Sequence, residues 1–298
     1  MRRRLWTVWR ASRRSWAADR LPDCERRWAA RLLLAYKRGE EERGVKRTAI
    51  VGDVHGMLDA LRELIAQLRL VDGDRLIFVG DLVDKGPEPA GVVHHLAGLA
   101  ATAPYEIVLV DGNHEDRHRR YQRNLVERPG IAAQQAAEAP ELAALAAELT
   151  EAGRAFLHTA VPFYRLRAHD VLIVHGGIPG DMRRFPAGVQ EAERFAGRER
   201  DRFRKVLRTR FIDAATGGFV GLGQEKPGDP FWAEVYDGRF GHVVFGHQPF
   251  LEGPAEFAHA TGIDTGAVHG GALTALVLPQ TGPRSYAQVR TPVFVPRR

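Results

Sequence analysis

The stretch Gly52-Asp53-Val54-His55-Gly56 decides how the rest of the chain is interpreted. It follows the apolar residues 48–51, which predict a short buried strand, and its glycines allow a sharp backbone turn where that strand ends. The turn carries a carboxylate and an imidazole two residues apart, a spacing and a pair of donors that suit a metal ion. Because the loops that leave strands hold the sites of α/β proteins, we expect a functional loop here.

The pattern of strand, polar loop and helix then repeats along the chain. Leucines recur at helical spacing over residues 58–68, and two further apolar strands are predicted at 76–79 and 107–110. Parallel strands joined by crossover helices place their following loops on one edge of a sheet. The polar residues after these three strands are therefore expected to lie close together.

The second half of the chain predicts a helical segment followed by more strands. Residues 122–159 are rich in Ala and Glu, with leucines at helical spacing, and predict a helical insertion that would form a cap over the site. Residues 191–210 predict a charged helix, and 217–229 predict a loop. The remaining strands are predicted at 161–166, 171–174, 243–245, 262–264, 272–278 and 285–289. The fold class is therefore α/β.

Basic charge is concentrated at the N-terminus. Residues 1–47 carry 15 Lys and Arg against 6 Asp and Glu, a net +9, whereas the remainder carries 28 against 31, a net −3. Four tryptophans lie among the N-terminal arginines. Three interpretations of residues 1–46 stay open: a solvated or loosely docked extension, a basic amphipathic helix on an anionic membrane surface, and a nucleic-acid-binding segment.

Composition excludes several classes of protein. The chain has 298 residues and one cysteine, Cys24, which excludes a disulfide framework and a zinc-thiolate cluster. No apolar run approaches the roughly 18 residues needed to span a bilayer, and the N-terminus lacks the apolar region of a secretory signal. We therefore expect a cytoplasmic protein.

Six polar residues stand at predicted strand ends and could hold metal ions. Carboxylate, amide oxygen and imidazole are donors that borderline divalent metals accept. Carboxylates crowded at one edge would repel one another unless cations neutralised them, and such ligands suffice for two ions about 3.5–4 Å apart if one carboxylate bridges. The candidates are Asp53, His55, Asp81, Asn113, His175 and His247. Other histidines, including His118, match no metal motif and are predicted as surface or core residues.

Five motifs, in order, resemble those of the calcineurin-like metallophosphoesterases. They are Gly52-Asp53-Val54-His55-Gly56, Gly80-Asp81-Leu82-Val83-Asp84-Lys85-Gly86, Gly112-Asn113-His114-Glu115, His175-Gly176-Gly177 and Gly246-His247. The phosphoprotein-phosphatase branch is the closer match, and residues 232–236, 245–249 and 263–271 resemble its bacterial members, which include diadenosine tetraphosphate hydrolases. The resemblance implies an αββα sandwich of two packed mixed sheets with flanking helices, formed by residues 47–298.

The resemblance also implies a dinuclear metal site and a role for each candidate ligand. Asp53 and His55 would hold the first cation, and Asp81 would bridge both. Asn113, His175 and His247 would hold the second, and Asn113 would also contact the substrate phosphate. Manganese is the first expectation for both cations, with iron, zinc, cobalt and nickel as alternatives.

A catalytic pair and a phosphate clamp are implied in the same way. His114 would protonate the leaving-group oxygen, and Asp84 would orient it. Lys85 is expected to bind the substrate phosphate. It stands where the branch usually has arginine, however, and lysine offers one compact charge instead of a planar fork. Arg210 and Lys226 are candidates for a second basic clamp.

The leading hypothesis is a phosphohydrolase that cleaves phosphate monoesters or phosphoanhydrides by direct attack of metal-bound hydroxide, with small phosphorylated or dinucleoside polyphosphate substrates favoured. A Ser/Thr phosphoprotein phosphatase is the alternative. The insertion at 122–159 would discriminate between them, because a cap would exclude folded protein substrates. A third hypothesis, of another class, is a protein that binds nucleic acid or a membrane surface through residues 1–46.

Overall fold

Two five-stranded sheets form the centre of this chain, in a computed structural model that describes residues 44–295. The basic extension predicted at residues 1–46 lies outside the described residues except for its last three positions. The three interpretations of that segment therefore stay predictions.

The first sheet contains the three parallel strands that the N-terminal half of the sequence predicts. They are β1 (Arg47–Val51), β2 (Arg75–Phe78) and β3 (Glu106–Leu109). Two C-terminal strands, β9 (Ala272–Pro279) and β10 (Ser285–Arg290), extend this sheet in antiparallel pairing beside β1. The loops after β1, β2 and β3 consequently leave the same edge.

The second sheet is also mixed, with three parallel strands and an antiparallel strand at each edge. Its strands are β4 (Tyr164–Leu166), β5 (Val171–Ile173), β6 (His242–Phe245), β7 (Ala255–Glu256) and β8 (Ala260–Gly262). The strand order is β10-β9-β1-β2-β3 in the first sheet and β4-β5-β6-β8-β7 in the second. The strand predicted at 262–264 was wrong in position, because the chain leaves the sheet after Gly262. Asp264 instead begins a turn in which its carboxylate accepts a hydrogen bond from the Gly266 N–H at 3.0 Å.

Helices connect and flank the sheets. They are α1 (Leu58–Leu68), α2 (Pro89–Thr102), α3 (Asn113–Glu127), α4 (Pro129–Glu138), α5 (Pro140–Glu148), α6 (Glu151–Leu157), α7 (Val189–Arg194), α8 (Gly197–Phe203) and α9 (Trp232–Val235). The helical structure predicted for 122–159 is confirmed, and Pro129 and Pro140 divide it into short helices because each stands at a first helical position. Within residues 44–295, no helix has both the length and the apolar character of a membrane span.

Three apolar layers hold the sandwich together. Between the sheets, Ile50 and Ile77 of the first meet Ile173 and Val244 of the second, all fully buried. Leucines of α1 and α2 cover the outer face of the first sheet, and an aromatic cluster around Trp232 covers that of the second. Each sheet therefore buries both faces, which confirms the predicted arrangement of two packed mixed sheets with flanking helices.

Candidate metal centre

Loops from both sheets meet around the carboxylate of Asp81, which follows β2. The Nε2 atom of His175 lies 3.3 Å from Asp81 Oδ2, and that of His55 lies 3.6 Å from it. Asn113, at the start of α3, places its Oδ1 3.0 Å from His175 Nε2. The ends of β1, β2, β3 and β5 thus contribute side chains to one centre.

Asp53 connects this centre to the loop after β6. Both of its carboxylate oxygens lie 3.1 Å from the backbone nitrogen of His247, which donates to them. The His55 Nε2 atom lies 3.9 Å from Asp53 Oδ2, and the His247 ring stands edge-on to that of His175, with centroids 5.0 Å apart. The structure therefore brings all six predicted donors together.

Two groups of three ligand atoms overlap at Asp81. One group joins His55, Asp81 and His114, and the other joins Asp81, His175 and His247. Within each group, the ligand atoms all lie within 4.8 Å of one another. A single carboxylate shared by two sets of ligands is the arrangement that a bridged pair of cations requires.

Backbone carbonyls fix which nitrogen of two imidazoles faces the centre. The Nδ1 atom of His55 lies 2.9 Å from the Val83 carbonyl, and that of His175 lies 3.0 Å from the Val79 carbonyl. Because a carbonyl oxygen only accepts, both Nδ1 atoms carry the proton in the neutral rings. Nε2 is then the ring nitrogen that faces Asp81 and that each imidazole would offer to a metal ion.

Left-handed backbone conformations cluster in these loops. Seven non-glycine residues within 44–295 have positive φ, and five of them belong to the site motifs. The five are His55 (43°), Asp81 (51°), Asp84 (66°), Lys85 (60°) and His247 (69°). Such conformations are costly for side chains with a Cβ and concentrate where function fixes the geometry.

Glu115, a residue with no predicted role, holds the loops after β2 and β3 in position relative to each other. Its fully buried carboxylate accepts the backbone N–H groups of Asp81 at 2.7 Å, Leu82 at 2.8 Å and Gly112 at 3.1 Å. The sequence signal is its position three residues after Gly112 at a helix start, where a glutamate reaches back to the cap. It thereby fixes the turn that presents Asp81.

The two residues of the predicted catalytic pair are in contact, and a third residue, His118, also bonds to Asp84. Asp84 Oδ2 lies 2.6 Å from His114 Nδ1, while Asp84 Oδ1 lies 2.6 Å from Nε2 of His118. His114 Nε2 then faces Asp81, 3.7 Å from its Oδ2. His118 is buried, as the core alternative predicts, but its contact with Asp84 places it in the site.

Of the three predicted basic contacts, the structure places two at the centre. Lys85 Nζ donates to His55 Nε2 at 2.8 Å, and Arg210 Nη2 donates to the His247 carbonyl at 2.7 Å. Lys226 is exposed in a loop, where its backbone N–H donates to Asp229 at 2.9 Å. Arg210 is therefore the better candidate for the second clamp.

Burial and mutual charge shift the pKa values of the donors. Burial would raise the pKa of Asp81, but the imidazoles of His175 and His114 hold it well below its usual range. Burial opposes the charged form of His175, yet Asp81 and Asp53 raise its pKa to about 9. Burial and the neighbouring Asp264 hold the pKa of Asp53 well above its ordinary value.

The other two imidazole donors are neutral at physiological pH. Burial lowers the pKa of His55 to about 3, with Lys85 acting in the same direction, and burial holds the pKa of His247 well below its usual range. Three imidazoles, two carboxylates and an amide oxygen match the ligand preferences of divalent cations such as manganese, iron and zinc, and a bound cation would displace the proton that Asp81 and Asp53 favour on His175. The donor set of the centre therefore fits a divalent metal cofactor.

Gly246 leaves space that Asp53 occupies, since a Cβ there would overlap Oδ1 of that carboxylate. We expect Gly246→Ala to displace Asp53 and weaken manganese binding by roughly 10- to 100-fold, as for changes to groups that orient ligands. Titration calorimetry of metal-stripped protein would measure this. Gly98→Ala in α2 is the control, because a Cβ there meets nothing within 4 Å. Unchanged affinity in Gly246→Ala would show that Asp53 does not bind the metal.

Comparison with known proteins identifies the fold and its family. The calcineurin-like phosphoesterase family matches residues 46–251. The asymmetrical bis(5'-nucleosyl)-tetraphosphatase PrpE of Oceanobacillus iheyensis is 31% identical over 245 residues, covering 78% of this chain and 88% of that protein. The protein of the same name from Bacillus subtilis is 29% identical over 242 residues, covering 78% of this chain and 90% of that protein.

Solved structures agree with this assignment. A crystal structure whose description proposes a diadenosine tetraphosphatase has a TM-score of 0.61 and 28% identity, covering 84% of this chain and 95% of that chain. A protein serine/threonine phosphatase from Saccharomyces cerevisiae has a TM-score of 0.57 at 16% identity, covering 93% and 92%, and supports the fold alone. With its two mixed sheets, its shared carboxylate and this match over most of its length, the chain belongs to the calcineurin-like phosphoesterase family.

Proposed function

We propose that this chain is a dinuclear-metal phosphohydrolase that cleaves a phosphoanhydride bond of dinucleoside polyphosphates. The observation that carries the proposal is the carboxylate of Asp81, which two groups of donors share, with His114 of the first group paired to Asp84 at 2.6 Å. The names of the related PrpE proteins support the substrate class.

In this proposal, six side chains hold two divalent cations. Asp53 and His55 would hold the first, Asn113, His175 and His247 would hold the second, and Asp81 would contribute to both. When bound, the cations neutralise phosphate charge and lower the pKa of coordinated water. Manganese is the first candidate, because half of the donors are carboxylate or amide oxygens and the rest are imidazoles.

His114 supplies the proton that the leaving group needs. A water oxygen forms a bond to phosphorus as the bond to the leaving oxygen breaks, and that oxygen keeps the bonding pair. His114 Nε2 faces the centre and transfers its proton to the leaving oxygen, while the proton from water passes to solvent. Asp84 holds Nδ1 of the same ring at 2.6 Å and so fixes the direction of Nε2.

Lys85 and Arg210 bind the phosphate oxygens. The single lone pair of His55 Nε2 serves either the Lys85 ammonium or a cation, so binding of a cation frees Lys85 for the substrate. Arg210 is anchored through Nη2, and its buried Nε lacks a hydrogen-bond partner in the described part of the chain. An anionic oxygen would satisfy that donor.

A cluster of arginines beside the centre favours a substrate with several phosphates. The buried carboxylate of Asp116 accepts two 2.5 Å bonds from Arg204 and lies 3.2 Å from Arg120 Nε and 3.6 Å from Arg208 Nη2. Three cations thus surround one anion on α3, one turn beyond Asn113. The excess positive charge suits the phosphates that lie beyond the one at the metals.

A cleft between the Lys85 loop and α5 favours a nucleoside over a folded protein. The cleft encloses about 330 Å³ and is lined by Lys85, Pro89, Leu145 and Phe294, among others. This volume is at the lower end of small-molecule sites. Helix α5 belongs to the segment predicted as a cap, and its position beside Asp84 and Lys85 supports that proposal.

Product analysis tests the function directly. Metal-stripped protein reloaded with manganese is incubated with diadenosine tetraphosphate, with a phosphoserine peptide, and with phenyl phosphate, and products are separated by ion-exchange chromatography. We expect the tetraphosphate to be cleaved to ATP and AMP with the highest kcat/KM. No cleavage of any of the three in the manganese-loaded protein would contradict a phosphohydrolase. A higher kcat/KM on the peptide would favour the phosphoprotein-phosphatase alternative.

A further inference from the structure

Asp84 is held from two sides by histidines of one helix. His114 and His118 are four residues apart on α3, so both side chains lie on the same face of that helix. Each donates to a different oxygen of Asp84 at 2.6 Å. His118 has 1% of its surface exposed, and Asp84 has 6%.

The second contact removes a freedom that one hydrogen bond leaves open. If the Asp84 carboxylate were bonded through one oxygen only, it could rotate about χ2. The His114 ring, which is hydrogen-bonded to it, would then change its orientation as well. With both oxygens bonded, the plane of the Asp84 carboxylate is fixed, and Arg117 adds a positive charge 3.9 Å from Oδ2. Asp84 also has a strained backbone, with φ of 66°, which the two bonds help to maintain.

We propose that His118 is a positioning residue that acts through Asp84 to aim His114 at the leaving-group oxygen. The inference rests on the proposed function, since it presupposes that His114 protonates that oxygen. His118 itself lies behind Asp84 and does not reach the substrate. Substitution of His118 should therefore slow the reaction only for substrates whose leaving group must be protonated.

A pair of amide variants tests this with matched chemistry. In His118→Gln the amide nitrogen lies about where Nε2 was, whereas the side chain of His118→Asn is one methylene shorter and falls short of Asp84. Phenyl phosphate has a poor leaving group that needs a proton, and 2,4-dinitrophenyl phosphate has a good one that does not. In manganese-loaded protein, we expect His118→Asn to lower kcat roughly 10- to 100-fold on the first and less than about threefold on the second. His118→Gln should recover most of this loss.

The Asp84→Asn background provides the decisive control. If His118 acts only through Asp84, its substitution should change the ratio of the two kcat values by less than about twofold when Asp84 is already replaced. Equal losses on both substrates in His118→Asn, or an unchanged effect in the Asp84→Asn background, would overturn the proposal. If His118→Asn unfolds, His118→Leu, which fills the buried space but donates no hydrogen bond to Asp84, is compared with the wild type in both backgrounds, with the same expected results. An inactive wild-type protein would refute the proposed function instead.

Discussion

Asp81→Asn is expected to reduce kcat by at least about 10³-fold, because several kcal/mol of metal-dependent stabilisation depend on one shared carboxylate. Asp81 is the ligand common to both groups of donors, and an amide offers a weaker, neutral donor in its place. The same variant should retain less than one manganese ion per chain after gel filtration. Plasma mass spectrometry of the protein peak, together with kcat on phenyl phosphate, measures both effects.

Asp111→Asn is the matched control for this variant. Asp111 also follows a strand of the first sheet and is buried, but its carboxylate pairs with Arg119 instead of facing the donors. Asparagine keeps the size of Asp111, and its amide oxygen can still accept the hydrogen bond from Arg119. We expect wild-type metal content in Asp111→Asn. Equal metal loss in the two variants would show that the effect of Asp81 is a general loss of structure.

His114→Asn is expected to lower kcat on phenyl phosphate by roughly 10²- to 10⁴-fold, the range for removal of a general acid. The asparagine amide can still donate to Asp84, as Nδ1 of His114 does at 2.6 Å, but it carries no acidic proton. On 2,4-dinitrophenyl phosphate, the loss should be at least about tenfold smaller. Steady-state kinetics on both substrates gives the ratio.

The metal content of His114→Asn distinguishes a proton-donating role of His114 from a metal-ligand role. His114 also stands in one of the two candidate ligand groups, with His55 and Asp81. If it is the acid and not a ligand, His114→Asn keeps its full complement of manganese. A loss of manganese, accompanied by equal losses of kcat on both substrates, would assign His114 to the metal. The exposed His259→Asn, in the loop between β7 and β8, serves as the control.

The location of the donors could be predicted from the sequence, because it follows from chain direction. Asp53, Asp81 and Asn113 each come directly after an apolar strand, and parallel strands bring such loops to one edge. His175 and His247 follow parallel strands of the second sheet in the same way. Both predictions need only the order and direction of the strands, and no interatomic distances.

The supporting residues could not be predicted, because their roles depend on three-dimensional contacts. In the sequence, His118 and Glu115 have the pattern of ordinary helical residues. The role of His118 depends on the position of Asp84, and that of Glu115 depends on the position of the turn at Gly80. Their spacing, one helical turn after His114 and three residues after Gly112, was the available signal. The clamp role of Lys226 stays a prediction, because its place in an exposed loop depends on the course of the chain and could not be judged from the sequence.

The most direct test of the account is anomalous diffraction at the manganese edge from crystals of the manganese-loaded protein. We expect two anomalous peaks in the centre, about 3.5–4 Å apart, with the carboxylate of Asp81 between them. Asp53 and His55 should contact one peak, and Asn113, His175 and His247 the other. A single peak not bound by Asp81, or no peak among these six side chains, would contradict the account.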